Sequence, residues 1–120
     1  MQERFPNLNR AYNETFQPGH LRLGIVAPIA AFPVGEKPSM ARHIERAQLI
    51  DDLGFAALWA RDVPFNVPSF GDTGQMFDPF GYLGLLAGQT RNIALGTASI
   101  ILPLRHPAHV AKSAASIAQL

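Results

Sequence analysis

Short apolar runs alternate with longer amphipathic stretches along the whole chain. Residues 21–29 (LRLGIVAPI), 55–60 (FAALWA) and 93–102 (IALGTASIIL) lack polar alternation and are almost free of charge. Such runs predict strands buried on both faces, as in a parallel sheet. Between the first two, Met40, Ile44, Ala47, Ile50 and Leu53 recur every three or four residues, while Arg42, Glu45, Arg46, Asp51 and Asp52 fall mostly on other faces. That spacing predicts a helix over residues 39–53, with Ser39 as its cap and Gly54 as its stop. Asp78 and Pro79 predict the cap and first residue of a second helix, with Phe80, Leu83, Leu86 and Ala87 on its buried side. Pro107 and the Ala-rich stretch behind it predict a third helix running to residue 120. Residues 30–38 and 66–77, rich in Gly and Pro, read as loops.

The order strand-helix, three times over, means right-handed crossovers and a parallel sheet. Two α/β architectures fit it: a doubly wound sheet and a piece of a (β/α)8 barrel. The turn after the first strand is Pro28-Ile29-Ala30-Ala31, with neither GxGxxG nor a Walker sequence. That favours the barrel. The fold expected is a partial TIM (β/α)8 barrel of about three parallel βα units over residues 21–120, preceded by a polar extension over residues 1–20. Ligands of such folds bind at the carboxyl ends of the strands.

Composition narrows the function classes. The formal net charge is +1, which gives no electrostatic case for nucleic acid or an anionic membrane. The chain has no cysteine, so disulfides and thiolate metal sites are excluded. The first ten residues, MQERFPNLNR, carry no signal-peptide core, and the apolar run over residues 21–34 is interrupted by Pro28 and Pro33. The expectation is a cytoplasmic protein.

Several residues together resemble a known family. Gly54-Phe55 through Leu58-Trp59, Asp78-Pro79, Gly96-Thr97, and Leu102-Pro103-Leu104-Arg105-His106-Pro107 occur in the order found in the bacterial-luciferase-like flavin oxidoreductases. The resemblance covers residues 21–120. It implies a TIM-like barrel that binds reduced FMN, or in other branches the deazaflavin F420, at the carboxyl ends of its strands. It implies cofactor contacts at Thr97, Ala98, Ser99 and Asp62, with a non-prolyl cis peptide between Ala98 and Ser99 beneath the flavin. Otherwise Ala98 and Ser99 are small strand residues packed under a helix. The family's His just after the second strand is replaced by Val63. Asp62 matches the acidic residue before that His, and Arg61 adjoins it; these two are the catalytic candidates. Proton carriage by Asp62 would need a raised pKa. The alternative is an Arg61–Asp62 surface pair worth little.

Other chemistry has less support. His106 and His109 stand three apart without an acidic or Cys neighbour, so they read as turn and cap residues and no metal site is expected. Arg105 suits either an anion or a structural ion pair. His43 and the Asp51-Asp52 pair read as solvated helix positions. No Gly-x-Ser-x-Gly elbow exists.

A TIM barrel takes about 250 residues and eight βα units; this chain of 120 supplies three. Two readings follow. One is the amino-terminal part of a flavin monooxygenase acting on a small organic substrate. The other is a non-catalytic barrel fragment that oligomerises to cover its sheet edges. In both, a homo-oligomer formed through the second and third predicted helices is expected.

Overall fold

The computed structural model describes residues 8–28, 40–65 and 77–120. Its elements are α1 (Arg10–Thr15), β1 (Gly24–Val26), α2 (His43–Asp52), β2 (Ala57–Ala60), α3 (Pro79–Ala87), β3 (Ala94–Thr97) and α4 (Pro107–Gln119). The strands form one parallel sheet in the order β1-β2-β3. Ile25 lies opposite Leu58, and Leu58 opposite Leu95. Sequential strands joined through helices therefore sit side by side, as the strand-helix alternation predicts.

Side-chain alternation divides the sheet into two faces. Leu58 and Ala60 point towards the helices and join Ala47, Ile50, Tyr82, Leu83, Leu86 and Ile93 in the core. Ala57 and Trp59 take the opposite, open face. The Trp59 indole lies across this face with Gly24 of β1 and Gly96 of β3 beneath it. A Cβ added at Gly24 would come within 2.7 Å of Trp59 Nε1, and one at Gly96 within 2.5 Å of Cζ3. Glycine on both neighbouring strands is what leaves room for the ring.

The core side of α2 is not the stripe its apolar residues suggest. His43, Ala47, Ile50 and Asp51 are buried, and Leu53 is exposed. His43, expected in solvent, is 4% exposed, and its Nδ1 lies 2.6 Å from the Tyr82 hydroxyl on α3. Asp51, also expected in solvent, is buried. Its carboxylate accepts the backbone N–H groups of Arg91 (2.6 Å), Asn92 (3.1 Å) and Ile93 (2.8 Å), just ahead of β3. The physical reason for both corrections is the same. A buried polar group is tolerated where it has partners, and the turn N–H groups needed an acceptor. Arg42, at φ 58° in the left-handed region, leads into α2. The expected cap Ser39 lies outside the described residues, as do most of the two predicted loops.

Asp78 caps α3 as expected, its Oδ1 accepting from Phe80 N (3.1 Å) and Gly81 N (3.0 Å). Gly84 faces Ile117 of α4 and lets the two helices pack closely. The third strand is shorter than its apolar run predicts. Pairing continues only to the bond from Ala98 N to Ala60 O (2.8 Å), because β2 itself ends at Ala60. A 3-10 turn at Leu102–Leu104 then leads into α4.

The polar extension also carries structure. Asn9 caps α1 by accepting the Tyr12 N–H at 2.8 Å. This helix packs near the amino ends of the strands, on the open face. Among the described residues, no helix is long and apolar enough to cross a membrane.

Candidate functional site

The carboxyl ends of the strands bring together Ala27 and Pro28 after β1, Arg61 and Asp62 after β2, and residues 98–105 after β3. Asp62 is the centre of this rim. Its side chain is 1% exposed, and both its oxygens are engaged. Arg105 donates from Nε to Oδ2 (2.9 Å) and from Nη2 to Oδ1 (2.8 Å), while the Ile101 N–H donates to Oδ2 (3.0 Å). A planar guanidinium matches a carboxylate in this two-pronged way, and such charge-assisted bonds are the strong ones.

Arg105 reaches further. Its Nη2 also donates to Asp78 Oδ2 at 2.8 Å, and its guanidinium stands 5.8 Å from the centre of the Phe80 ring. One side chain thus fastens three elements: the exit of β2, the cap of α3 and the turn between β3 and α4. Arg105 is only 25% exposed. The two-carboxylate setting, Asp62 first, raises its pKa, so it stays protonated at any ordinary pH.

The electrostatics follow from the geometry. The Arg105 hydrogen bond, against an opposing push from burial, holds the Asp62 carboxyl below its ordinary range, with help from the Ile101 N–H. Burial pushes the Asp78 carboxyl up. The Gly81 N–H and Arg105 outweigh that push and leave it lowered. A proton carrier near neutral pH would need the opposite shift. Asp62 is therefore placed to hold the rim in position, and its shift runs opposite to the raised pKa that proton carriage was expected to need. Its ion pair is with Arg105, 43 residues away, and not the Arg61 pair that the alternative reading supposed. Alternation continued past β2 explains this. Leu58, Ala60 and Asp62 share the helix side, and the position of Arg61 falls on the other.

Thr97 ends β3 half-buried, and Ala98 and Ser99 follow it exposed at the rim. The cis bond expected between Ala98 and Ser99 is not formed. Among the described residues the cis peptide is Ala27–Pro28. A non-prolyl cis bond needs surrounding structure to enforce it, and exposed residues have none. The rim therefore unites Asp62, Ala98 and Ser99 at the ends of neighbouring strands. Thr97 turns instead towards a groove of about 550 Å3 along the outer edge of β3, shared with Leu95, Phe80 and Val110.

His106 caps α4, its Nδ1 accepting the Ala108 N–H at 3.2 Å, with the His109 ring edge-on at 5.7 Å. Among the described residues, no group of three or more His, Asp or Glu side chains is placed to share a metal.

Comparison with known proteins decides the family. The profile for luciferase-like monooxygenases matches residues 21–120, which is all of the sheet and the three helices around it. The chain belongs to the luciferase-like monooxygenase family. A curated relative is the 4-hydroxyprotoasukamycin monooxygenase of Streptomyces nodosus subsp. asukaensis, 31% identical over 90 residues. The match takes in 73% of this chain and 23% of that protein, so this luciferase-like chain spans about a quarter of the relative's length. Within the family frame, the residue that sequence reasoning left undecided is Arg105. Its signal was the parity of Asp62, which sends that carboxylate to the helix side where the turn before α4 passes.

Proposed function

We propose that this chain contributes the first arc of a (β/α)8 barrel in a flavin-dependent monooxygenase, with the rim at Ala98 and Ser99 as one wall of the flavin site. The observation that carries the reading is the family match over residues 21–120 together with the parallel order β1-β2-β3. On this reading the open face is the barrel interior, and the groove along β3 is where the next strand-helix unit packs.

The residues suit the flat part of a flavin. Ala98 and Ser99 are small and exposed, and below them Gly96 lets the flat Trp59 ring lie against the strand. Reduced FMN, when bound, supplies the two electrons with which one atom of O2 is reduced to water while the other enters a small organic substrate. The chain's own part is to bind and orient. Backbone groups and the Ser99 hydroxyl line the rim, and Asp62, through Arg105, fixes the turn that carries them. Arg61 stands next to this rim as a candidate substrate contact. F420 in place of FMN is the alternative cofactor on the same wall.

Equilibrium dialysis against FMN and, separately, F420, with absorbance as a second readout, tests the reading. Retention of either supports it, and retention of FMN alone selects the monooxygenase. Retention of neither refutes it and leaves the second reading, a non-catalytic module. That alternative draws on the short span relative to the monooxygenase above. Both readings include a homodimer through α3 and α4, supported by exposed Leu85 on α3 and by an α4 that buries no residue completely. Light scattering that finds a stable monomer removes the dimer.

A further inference from the structure

The open face is closed at one end by a segment that the function above does not use. Arg10, at the start of α1, donates from Nη2 to the Arg91 carbonyl (2.8 Å) and from Nη1 to Asn92 Oδ1 (3.4 Å), just ahead of β3. Four residues on, Glu14 is held by Arg22, just ahead of β1. Nε bonds its carbonyl at 2.8 Å and Nη2 its carboxylate at 3.0 Å. The helix is therefore tied at both ends and crosses the amino ends of the strands from β3 to β1.

Between those ties α1 sets two aromatic residues at the edge of the sheet, Tyr12 half-buried and Phe16 57% exposed. The Tyr12 and Phe16 rings lie 5.0 Å apart. With Ala11 and Thr15 they wall a cavity of about 210 Å3 whose other side is Ala57, Trp59, Ala94 and Gly96. Among the described residues, no charged side chain lines it. Val26, level with Trp59 on β1, is exposed, and so are Ala98 and Ser99 above it towards the rim. The indole, spread over Gly24 and Gly96, is thus the last large side chain on this face before α1 closes it.

We propose that α1 seals the amino end of the open face, and that Trp59 is the floor on that face at which a ligand arriving from the rim stops. A ligand that enters from the rim meets a flat apolar floor rather than water. The seal does not depend on which ring binds above it, so it stands or falls apart from the flavin reading.

Trp59 is the only tryptophan of the chain, so its emission reports on this one place. The test is acrylamide quenching of the full chain and of two double variants. Arg10→Ala with Arg22→Ala cuts the ties. Tyr12→Ala with Phe16→Ala removes the cover. Circular dichroism follows the sheet in each. With the sheet retained, the expected result is at least a doubling of the quenching constant and a red shift of the emission in both variants. Unchanged quenching in both overturns the proposal. So does a parent chain whose Trp59 is already quenched like free tryptophan. Loss of the sheet in both variants overturns it as well, because a cover that cannot leave without melting the fold is part of the core.

Discussion

Arg105→Ala is the most informative single change. It leaves the Asp62 carboxylate, 1% exposed, with the Ile101 N–H as its remaining donor among the described residues, and it frees Asp78 from its link to the turn. Breaking a buried ion pair by removing one partner costs about 3–5 kcal/mol. Because Arg105 is 25% exposed, water can enter the space it leaves. A loss of about 2–4 kcal/mol is expected on that account. Arg105→Lys should recover less than about half of it, since an ammonium has no planar fork to serve two oxygens of Asp62 and one of Asp78 at once.

The loss should depend on pH in a definite direction. The folded Asp62 carboxyl titrates below its unfolded value, chiefly through the Arg105 bond. Its contribution is therefore present above about pH 4 and is lost as pH falls through the folded value. The gap between parent and Arg105→Ala should be full at pH 7 and narrow under acid conditions. Urea unfolding followed by the single tryptophan measures it. A double-mutant cycle with Asp62→Asn supplies the control. Without the buried charge, Arg105→Ala should cost less by at least about 1.5 kcal/mol. A single-variant loss below about 0.5 kcal/mol, or a coupling inside the usual additivity error of about 0.3–0.5 kcal/mol, would refute the clasp.

Three further changes probe the frame around the rim. Asp51→Ala strips the acceptor from three backbone N–H groups ahead of β3 and should cost about 1–3 kcal/mol, read by the same urea unfolding. Gly96→Ala would press a methyl into the Trp59 ring, which must shift. A loss of about 1–3 kcal/mol with altered tryptophan emission is expected, and unchanged emission would mean that the indole does not lie on β3. Tyr82→Phe removes the hydroxyl at His43 and should cost about 1 kcal/mol near pH 7. Burial pushes that hydroxyl up to about 12, above an unfolded value of about 10. Its neutral form is thus favoured by folding, with full stability below pH 10 that declines towards pH 12. The phenylalanine variant should lack this decline in a pH series of melting curves.

Much of the frame was legible because it rests on apolar periodicity. The strand sites, the Asp78-Pro79 helix start and the Pro107 helix start follow from local patterns that tertiary contacts did not override. What could not be read were polar groups whose partners lie far along the chain. Asp51 looks solvated beside Asp52, since nothing nearby says that its acceptors serve residues 91–93. His43 shows its burial only when Tyr82, 39 residues away, is opposite it. The apolar stripe of α2 misled for the same reason, because His43 and Asp51, each hydrogen-bonded to a distant residue, took core positions and Leu53 was left outside. At the rim, family resemblance named Asp62 and Ser99, and strand parity alone would have told that Asp62 leaves the open face. The absence of a cis bond between Ala98 and Ser99, where the resemblance implied one, follows from surroundings that no local pattern encodes.

The two buried carboxylates have a common cause in the position of β3. Among the described residues this strand has a sheet neighbour on one side only, so its ladder bonds hold it from one edge. Such a strand is free to slide or fray at its ends unless something else fixes them. Asp51, from α2, holds the three N–H groups where the chain arrives. Asp62, from the end of β2, holds the Ile101 N–H and, through Arg105, the turn by which it leaves. Both carboxylates sit on elements already packed in the core, so β3 takes its position from them rather than from its own four paired residues. Ala98 and Ser99 lie between the strand and the second anchor. Their placement at the rim is then a consequence of Asp62 and Arg105, and on the proposed flavin reading a variant at position 105 should weaken flavin retention without touching the flavin. Dialysis of the Arg105→Lys chain, folded but with a loosened turn, should show that loss. Retention equal to the parent's would separate the rim from its clasp.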